Sequence, residues 1–323
     1  MSVRLFSAMT MAALLALCVN AAQAQDWPTK PVRLTVPFPP GTAPDIASRL
    51  MAEKLSQGWK QQMVVENRPG AGGIPGMSAF IKTAPDGYSF SVVPATVVTL
   101  TPHLFKNPQY NIDTDVTPVA ILATGPFIVA VNPGIGVNSL DDLLKMAKAQ
   151  PGKVNFAPPT INTTPHLAGE MMAMLAGVKF YPVPYNGSVP AVTATITNES
   201  QFTIDGVPAL ASNIKAGKLK AIAVTSKERI PGFDNVPPVA DTFKGFEAIG
   251  WFAVLAPAKT PAAMVERMNK DVNAVTQMPE IVSRYAELGI YPRPGTVKQA
   301  AEFLASERKL WSKVIQDLGI QAQ

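Results

Sequence analysis

The chain has very few of the residues from which metal and thiol sites are built. Its 323 residues include one cysteine, Cys18, and two histidines, His103 and His166. A zinc site requires three or four nitrogen, sulfur or oxygen ligands at close spacing, so we expect no metal and no other cofactor. Because Cys18 lies in the leader described below, the mature chain has no disulfide and depends on its hydrophobic core for stability.

Clusters of basic residues and long apolar runs are also missing. The formal net charge is +5, but the Lys and Arg residues are scattered, which is typical of a solvated surface and not of a nucleic-acid site. After the leader, no apolar run reaches the roughly 20 residues that a membrane-spanning helix needs. We therefore expect neither a nucleic-acid partner nor a membrane span.

The first 24 residues have the three parts of a secretion signal. Arg4 provides the positive charge, residues 9–19 the short apolar core, and Ala22-Gln23-Ala24 the cleavage site between small residues. We predict cleavage after Ala24, with Gln25 as the first residue of the mature chain. A signal of this type in a bacterium indicates export to the periplasm.

Strand and helix patterns alternate through most of the remaining chain, and 31 prolines mark the turns between them. One α/β series runs from residue 32 to 95, a second from 117 to 225, and a helical tail follows. This alternation predicts parallel sheets covered by helices. The tail indicates a chain that leaves its first domain and returns. We predict lobe 1 at residues 25–124 and 250–323, lobe 2 at 125–249, and a cleft between them.

Two loops of the same kind are the most informative feature. The strand at residues 32–36 leads through Pro37–Pro44 into a helix that starts near Asp45, and a second strand leads through residues 157–165 into another helix. In open α/β sheets, ligands bind at such junctions of a strand end and a helix N-terminus. Both loops contain hydroxyl groups but no Lys or Arg. They predict a cation-free cradle for an anionic oxygen.

Two further residues have two interpretations each. His166 is either a structural histidine packed at the start of its helix or a group near the ligand. Asp205 follows the strand at residues 201–204, and its carboxyl group either points into the cleft or caps the next helix. The residues alone do not separate these alternatives.

Catalytic motifs are weak or interrupted. The segment Gly70–Gly76 resembles a dinucleotide-binding loop only superficially, since Pro75 interrupts it and the glycine spacing is wrong. Gly187-Ser188 lacks the flanking glycines of a nucleophile elbow. We therefore expect no enzyme, with a periplasmic hydrolase as the remote alternative.

Several motifs, in order along the chain, resemble the Bug family, the periplasmic solute-binding proteins of tripartite tricarboxylate transporters. The resemblance covers essentially the whole mature chain. The matching segments are Pro28–Arg33, Val36–Gly41, Val64–Gly73, Ala84–Tyr88, Ala149–Lys153, His166–Glu170, Val183–Gly187 and Ala216–Lys220.

This resemblance implies a type II, two-lobed Venus-flytrap fold, in which each lobe is a helix-covered sheet and two crossings form the hinge. It also implies a ligand held by a carboxylate, in part through ordered water. The ligand-binding residues carried over from the family are Phe38, Pro40, Gly41, Thr42 and Asp45 in the first loop, Asn162, Thr163, Thr164 and His166 in the second, and Asp205 on the opposite rim.

The expected function is a monomeric periplasmic receptor that captures a small organic carboxylate, either a di- or tricarboxylate or an aromatic acid. The expected partner is the membrane permease of a tripartite transporter, and the alternative partner is a sensor kinase. The family usually has glycine and threonine where this chain has Thr42 and Pro44, and its second loop is usually glycine-rich. These departures stiffen both loops and indicate a ligand other than the family's commonest type.

Overall fold

The computed structural model describes residues 27–322. The predicted leader and its cleavage site after Ala24 lie outside these residues. The strands are β1 Val32–Val36, β2 Met63–Asn67, β3 Ser89–Pro94, β4 Val116–Val131, β5 Asn155–Ala157, β6 Tyr181–Pro182, β7 Phe202–Gly206, β8 Lys220–Val224, β9 Ile249–Pro257 and β10 Tyr291–Pro292. The helices are α1 Ala43–Trp59, α2 Ile74–Phe80, α3 Ala95–Thr99, α4 Thr101–Leu104, α5 Ile112–Asp115, α6 Leu140–Ala149, α7 Thr164–Ala176, α8 Ser188–Ile196, α9 Val207–Lys215, α10 Ala262–Thr276, α11 Pro279–Glu287 and α12 Val297–Asp317.

One long strand joins two sheets. The first sheet has the order β2-β1-β3-β9-β4, with β10 also paired to β4. Beyond Pro126 the same β4 continues into a second sheet, where it pairs with β8 on one side and with β7 on the other. In that sheet β5 pairs with β7, and β6 pairs with β5. Strand β9 begins at Ile249, opposite Pro126. The chain therefore crosses between the sheets at two adjacent points.

Helices cover both faces of each sheet. In the first sheet, α1, α10 and α11 pack on one face, and α2, α3 and the first half of α12 pack on the other. In the second sheet, α6 and α7 cover one face, and α8 and α9 cover the other. Strand β1 is buried at every residue except Arg33, as expected for a strand in the interior of a sheet that is covered on both faces.

The long C-terminal helix α12 connects the two cores. Thr296 and Gln299 form a capping box at its start, which satisfies the first backbone donors. Ala300 and Leu304 pack in the core of the first sheet, whereas Trp311, with the two residues Val314 and Ile315 beyond it, packs in the core of the second. A helix of 21 residues spans about 30 Å, which is enough to reach both.

The predicted α/β class and the binding-protein architecture are confirmed, but the sheets are mixed. The pairs β1-β2, β1-β3, β5-β6 and β5-β7 are parallel, as alternation predicts. The pairs around β4 and β9 are antiparallel, since these strands cross between the sheets in opposite directions. The short helices α3 to α5 are absent from the sequence prediction. The assignment of residues 25–124 and 250–323 to lobe 1, and of 125–249 to lobe 2, stays a prediction.

Within residues 27–322, no helix combines the length and the apolar character of a membrane span.

Candidate ligand-binding site

A cavity of about 330 Å³ lies where the two sheets meet. Its border includes the carboxyl ends of β3 and β7. The crossing segments Gly125–Phe127 and Gly250–Phe252 form its base, and the turn Leu288–Ile290 closes one side. The cavity therefore has walls from both sheets, which is the arrangement of an interlobe cleft.

Five helices begin at this cavity. Their residues on its wall are the first residues of α1, α3, α7 and α8 and the second residue of α9, namely Ala43, Ala95, Thr164, Ser188 and Pro208. None of these five helices has a side-chain cap. The same is true of α2, α4, α10 and α11, whereas α5, α6 and α12 are capped. A helix N-terminus has roughly half a positive charge and unpaired N–H groups. The site therefore favours an anion although its described lining residues include no Lys, Arg or His.

Most of the remaining wall is apolar. Pro126, Phe127, Phe252 and Ile290 contribute to it together with Trp251. The Trp251 Nε1–H donates to Glu307 Oε2 at 2.8 Å, so the polar group of this side chain already has a partner. The Trp251 ring therefore contributes apolar surface to the cavity wall. The site thus combines polar helix starts with a hydrophobic surface for the body of a ligand.

The carboxyl group that holds Trp251 is itself buried. Glu307 also accepts a hydrogen bond from Trp311 Nε1 at 3.3 Å. Burial raises the pKa of Glu307, and the hydrogen bonds from the two indoles oppose this shift. This carboxyl group lies on α12 and is not among the lining residues, so it positions the wall and does not contact the ligand.

Asp205 is the only ionisable residue among those that line the cavity within residues 27–322. It is 7% exposed. Its Oδ1 accepts the Gly206 N–H at 2.7 Å, and its Oδ2 has no hydrogen-bond partner in the described part of the chain. Burial raises the pKa of Asp205, while the Ser188 side chain and the Gly206 N–H counteract the rise. Asp205 therefore lines the cavity, and its Oδ1 accepts from Gly206, the residue before α9, without capping the helix itself.

Hydrogen bonds to the Asp45 carboxylate stabilise the first loop. Asp45 Oδ2 accepts the Gly41 N–H at 2.8 Å, and Asp45 Oδ1 accepts hydrogen bonds from Arg49 at 3.0 Å and Asn67 at 2.9 Å. Burial alone would raise the pKa of Asp45, but the hydrogen bonds from Arg49, Gly41 and Asn67 outweigh it and lower the pKa. Thr42 Oγ1 donates back to Pro39 O at 2.7 Å. Asp45 and Thr42 therefore shape the loop.

The second loop is held by His166 in the same way. Its Nδ1 accepts the Asn162 N–H at 3.2 Å, so the ring proton is assigned to Nε2, which lies 3.7 Å from Glu170 Oε1. The ring stacks on Phe156, and burial lowers the pKa of His166 to about 4. The imidazole is therefore neutral near neutral pH. Thr163 Oγ1 donates to Thr160 O at 2.7 Å.

The predicted site residues fall into two groups. Thr163, Thr164 and Asp205 line the cavity. The others do not line it and lie in the two loops or in the first turns of α1 and α7, namely Phe38, Pro40, Gly41, Thr42, Asp45, Asn162 and His166. Among these, Pro40 and Gly41 are exposed, while Asp45 and His166 are buried supports. Their direct contact with a ligand stays a prediction.

Sequence reasoning missed several residues of the wall. The end of β3 contributes Pro94, the start of α3 contributes Thr96, and the start of α8 contributes Ser188. The signal for Ser188 was present, since a glycine and a serine precede a helix there, but the pattern indicated only an incomplete nucleophile elbow. Nothing local in the sequence identifies Leu288–Ile290, because only the tertiary fold brings this turn to the cavity.

The fold and the cavity define a solute-binding protein, and comparison with known proteins gives the family. The match to the family described as "Tripartite tricarboxylate transporter family receptor" covers residues 47–320. BugT of Bordetella pertussis is 34% identical over 302 residues, covering 92% of this chain and 91% of the relative. A UPF0065 protein from the tcbD-tcbE intergenic region of Pseudomonas sp. strain P51 is 34% identical over 313 residues, covering 95% and 93%.

Solved structures agree. The adipate-bound protein Rpa4515 of R. palustris has a TM-score of 0.80 and 30% identity, covering 92% of this chain and 100% of that chain. The periplasmic binding protein BugD has a TM-score of 0.75 and 28% identity, covering 92% and 100%. The chain belongs to the tripartite tricarboxylate transporter receptor family. It is a periplasmic solute-binding receptor and not an enzyme.

Proposed function

We propose that this protein captures a small organic carboxylate in the cleft and delivers it to the membrane permease of a tripartite transporter. The observation that carries this proposal is the set of uncapped helix starts around a cavity whose described lining has no cationic side chain. The adipate-bound relative supports the same chemistry, since its ligand is a carboxylate.

The energetics are adequate for a transport receptor. A hydrogen bond to a charged group contributes about 1.5–3 kcal/mol net. Three or four such bonds from helix N–H groups and hydroxyls reach the roughly 8 kcal/mol of micromolar affinity. Because both sheets supply helix starts, a ligand contacts both only when the lobes are together. Its differential contacts therefore favour the closed state.

A matched pair of variants tests whether the helix starts at the cavity bind the carboxylate. Ala43 and Ala262 are each the first residue of a helix without a side-chain cap, but only Ala43 lines the cavity. Ala43→Asp places a carboxylate at the proposed anion site, and Ala262→Asp places the same group at the start of α10. We expect Ala43→Asp to weaken carboxylate binding at least about tenfold, because the added charge opposes the ligand.

Calorimetry with adipate, hexanoate, benzoate and their neutral amides measures this effect. Ala262→Asp keeps wild-type affinity, and each acid binds better than its amide. Equal affinities of acids and amides, or an unchanged Ala43→Asp protein, contradict the proposal.

Delivery and export need separate measurements. Uptake of a radiolabelled ligand by cells that carry the Ala43→Asp allele falls if the protein serves a permease. Normal uptake with lost ligand-induced gene expression would instead support the sensor-kinase role. N-terminal sequencing of periplasmic protein tests the predicted mature start at Gln25.

A further inference from the structure

Asp205 is an anomaly in a site built for an anion. It is the one ionisable residue among the described residues of the cavity wall, and only 7% of its surface is exposed. Its Oδ1 accepts the Gly206 N–H, and among the residues that the structure describes none donates a hydrogen bond to Oδ2. A buried acceptor without a partner costs about 1–3 kcal/mol, so native proteins rarely retain one without a reason. The missing partner of Oδ2 is therefore the first question that the site raises.

The chain itself offers no cation to this oxygen. The cavity wall within residues 27–322 includes no Lys, Arg or His. Ser188 lies at the start of α8 beside Asp205, where its side chain counteracts the effect of burial on the carboxyl group. Within residues 27–322, no contact at hydrogen-bond distance and angle reaches Oδ2, although the Ser188 hydroxyl group is near enough to lower the pKa of the carboxyl group. We look to a bound solute for a further donor, because Asp205 lines the cavity that a solute enters.

The position of Asp205 relative to the second loop defines the ligand. Strands β5 and β7 are adjacent and parallel, with Ala157 opposite Thr203. The loop that leads to α7 follows β5, and Asp205 lies near the end of β7. Neighbouring strands lie roughly 5 Å apart, so the helix start at Thr164 and the Asp205 carboxyl group border the same part of the cleft. One end of the wall thus suits an anion, and a nearby point requires a donor.

We infer that the ligand is a carboxylate that also bears a hydrogen-bond donor, a hydroxyl, amide or ammonium group, and that this donor binds Asp205 Oδ2. This inference rests on the proposed carboxylate-receptor function and assigns its specificity. A second carboxylate at this position brings two acceptors together, which is unfavourable when both are ionised. Asp205 therefore selects for hydroxy, amino or amide acids and against simple dicarboxylates.

Matched acids test this selectivity. The linear set is hexanoate, 6-hydroxyhexanoate, 6-aminohexanoate and adipate, and the aromatic set is benzoate, 4-hydroxybenzoate and terephthalate. Titration calorimetry at neutral pH compares wild type with Asp205→Asn. The control is Asp234→Asn, which removes the same charge from an exposed residue outside the cavity. Thermal melts of the three proteins confirm that each is folded.

In at least one set, we expect wild type and Asp234→Asn to bind the donor-bearing acid about tenfold or more tightly than both the plain acid and the diacid. Asp205→Asn loses about tenfold of the preference for the donor-bearing acid over the diacid, because its amide group can donate to a carboxylate. Both results support the inference.

Two other outcomes overturn it in different ways. Preference of wild type for adipate or terephthalate, unchanged in Asp205→Asn, refutes the role of Asp205 but leaves the carboxylate receptor intact. Failure of every acid to bind folded wild type refutes the receptor function and the inference together. The wild-type ranking alone decides the matter if Asp205→Asn does not fold.

Discussion

The two loops at the cleft have the same backbone conformation, but the side chain that supports each loop is of a different chemical type. Each helix starts with a Thr N-cap and has proline at its second residue, in Thr42-Ala43-Pro44-Asp45 and Thr163-Thr164-Pro165-His166. In each, the Thr hydroxyl donates to a carbonyl three residues earlier. The residue before the Thr is left-handed, with φ of 80° at Gly41 and 61° at Asn162.

The difference lies in the acceptor for that left-handed residue's N–H. In the first loop it is an ionised carboxylate, which also binds Arg49 and Asn67. In the second loop it is the neutral ring of His166. In both loops the Thr hydroxyl therefore shapes the loop, and we expect the N–H groups at the helix start to bind the ligand. The comparison also predicts that the two loops respond differently to mutation and to acid.

Removal of Asp45 is expected to have the largest effect. Asp45→Ala removes the acceptor of the Gly41 N–H and one of the hydrogen bonds made by Asn67 and by Arg49, although Asn67 still donates to Phe38 O and Arg49 to Asn67 Oδ1. At roughly 1.5 kcal/mol for each of the three charged hydrogen bonds, the loss is about 4 kcal/mol. Urea denaturation measures the free energy of unfolding. His166→Ala removes a single hydrogen bond and some packing, so we expect it to lower the free energy of unfolding by less than Asp45→Ala does. An equal decrease in the two variants would show that the two loops do not differ in this way.

Acid is expected to weaken the second loop first. The folded-state pKa of His166 is about 4, below its usual 6.5. The unfolded chain therefore binds a proton first as pH falls, and stability is present above pH 6.5 and lost between 6.5 and 4. Over this interval, the free energy of unfolding of the wild type should decrease by about 3 kcal/mol more than that of His166→Asn. Denaturation curves at a series of pH values measure it.

The neighbouring Glu170 needs a control in that experiment, since it lies 3.7 Å from His166 and burial raises its pKa. Repeating the comparison in Glu170→Gln removes its titration. Equal acid sensitivity of the wild type and His166→Asn in both backgrounds would show that this histidine does not govern the response.

The left-handed residues provide a smaller test. Gly41→Ala should cost about 1–2 kcal/mol because alanine is strained at positive φ, although its Cβ meets no atom within 4 Å. Asn162→Gly should change stability by less than about 0.5 kcal/mol, since glycine accepts the same conformation. Thermal denaturation distinguishes them, and a neutral Gly41→Ala would show that the first loop relaxes.

The smallest expected effects are those of the N-cap hydroxyls. Thr42→Ala and Thr163→Ala each remove one hydrogen bond to a loop carbonyl, and each should cost about 0.5–1 kcal/mol. Because the geometry is the same at both loops, the two losses should agree. Markedly unequal losses in urea denaturation would break the equivalence of the loops.

Much of the architecture follows from local patterns. Strand β1 is predicted to within one residue by its apolar run, and α6 is predicted by Ser139 and the spacing of its leucines. The two junctions of a strand end and a helix start, from β1 to α1 and from β5 to α7, are also found correctly, because such a junction is a local pattern. The continuous β4 is predicted as two strands, since Gly125 and Pro126 look like a break and the pairing with β9 outweighs them.

Residue types and short spacings are enough to predict the α/β alternation, the thiol-free core, the family and the two cation-free loops. The side chains that border the cavity become known only from the fold. It turned Asp45 and His166 into supports, placed Asp205 on the wall, and brought Trp251 and Leu288–Ile290 together. The physical reason is that burial and hydrogen-bond partners depend on contacts between segments far apart in sequence, which local patterns do not encode.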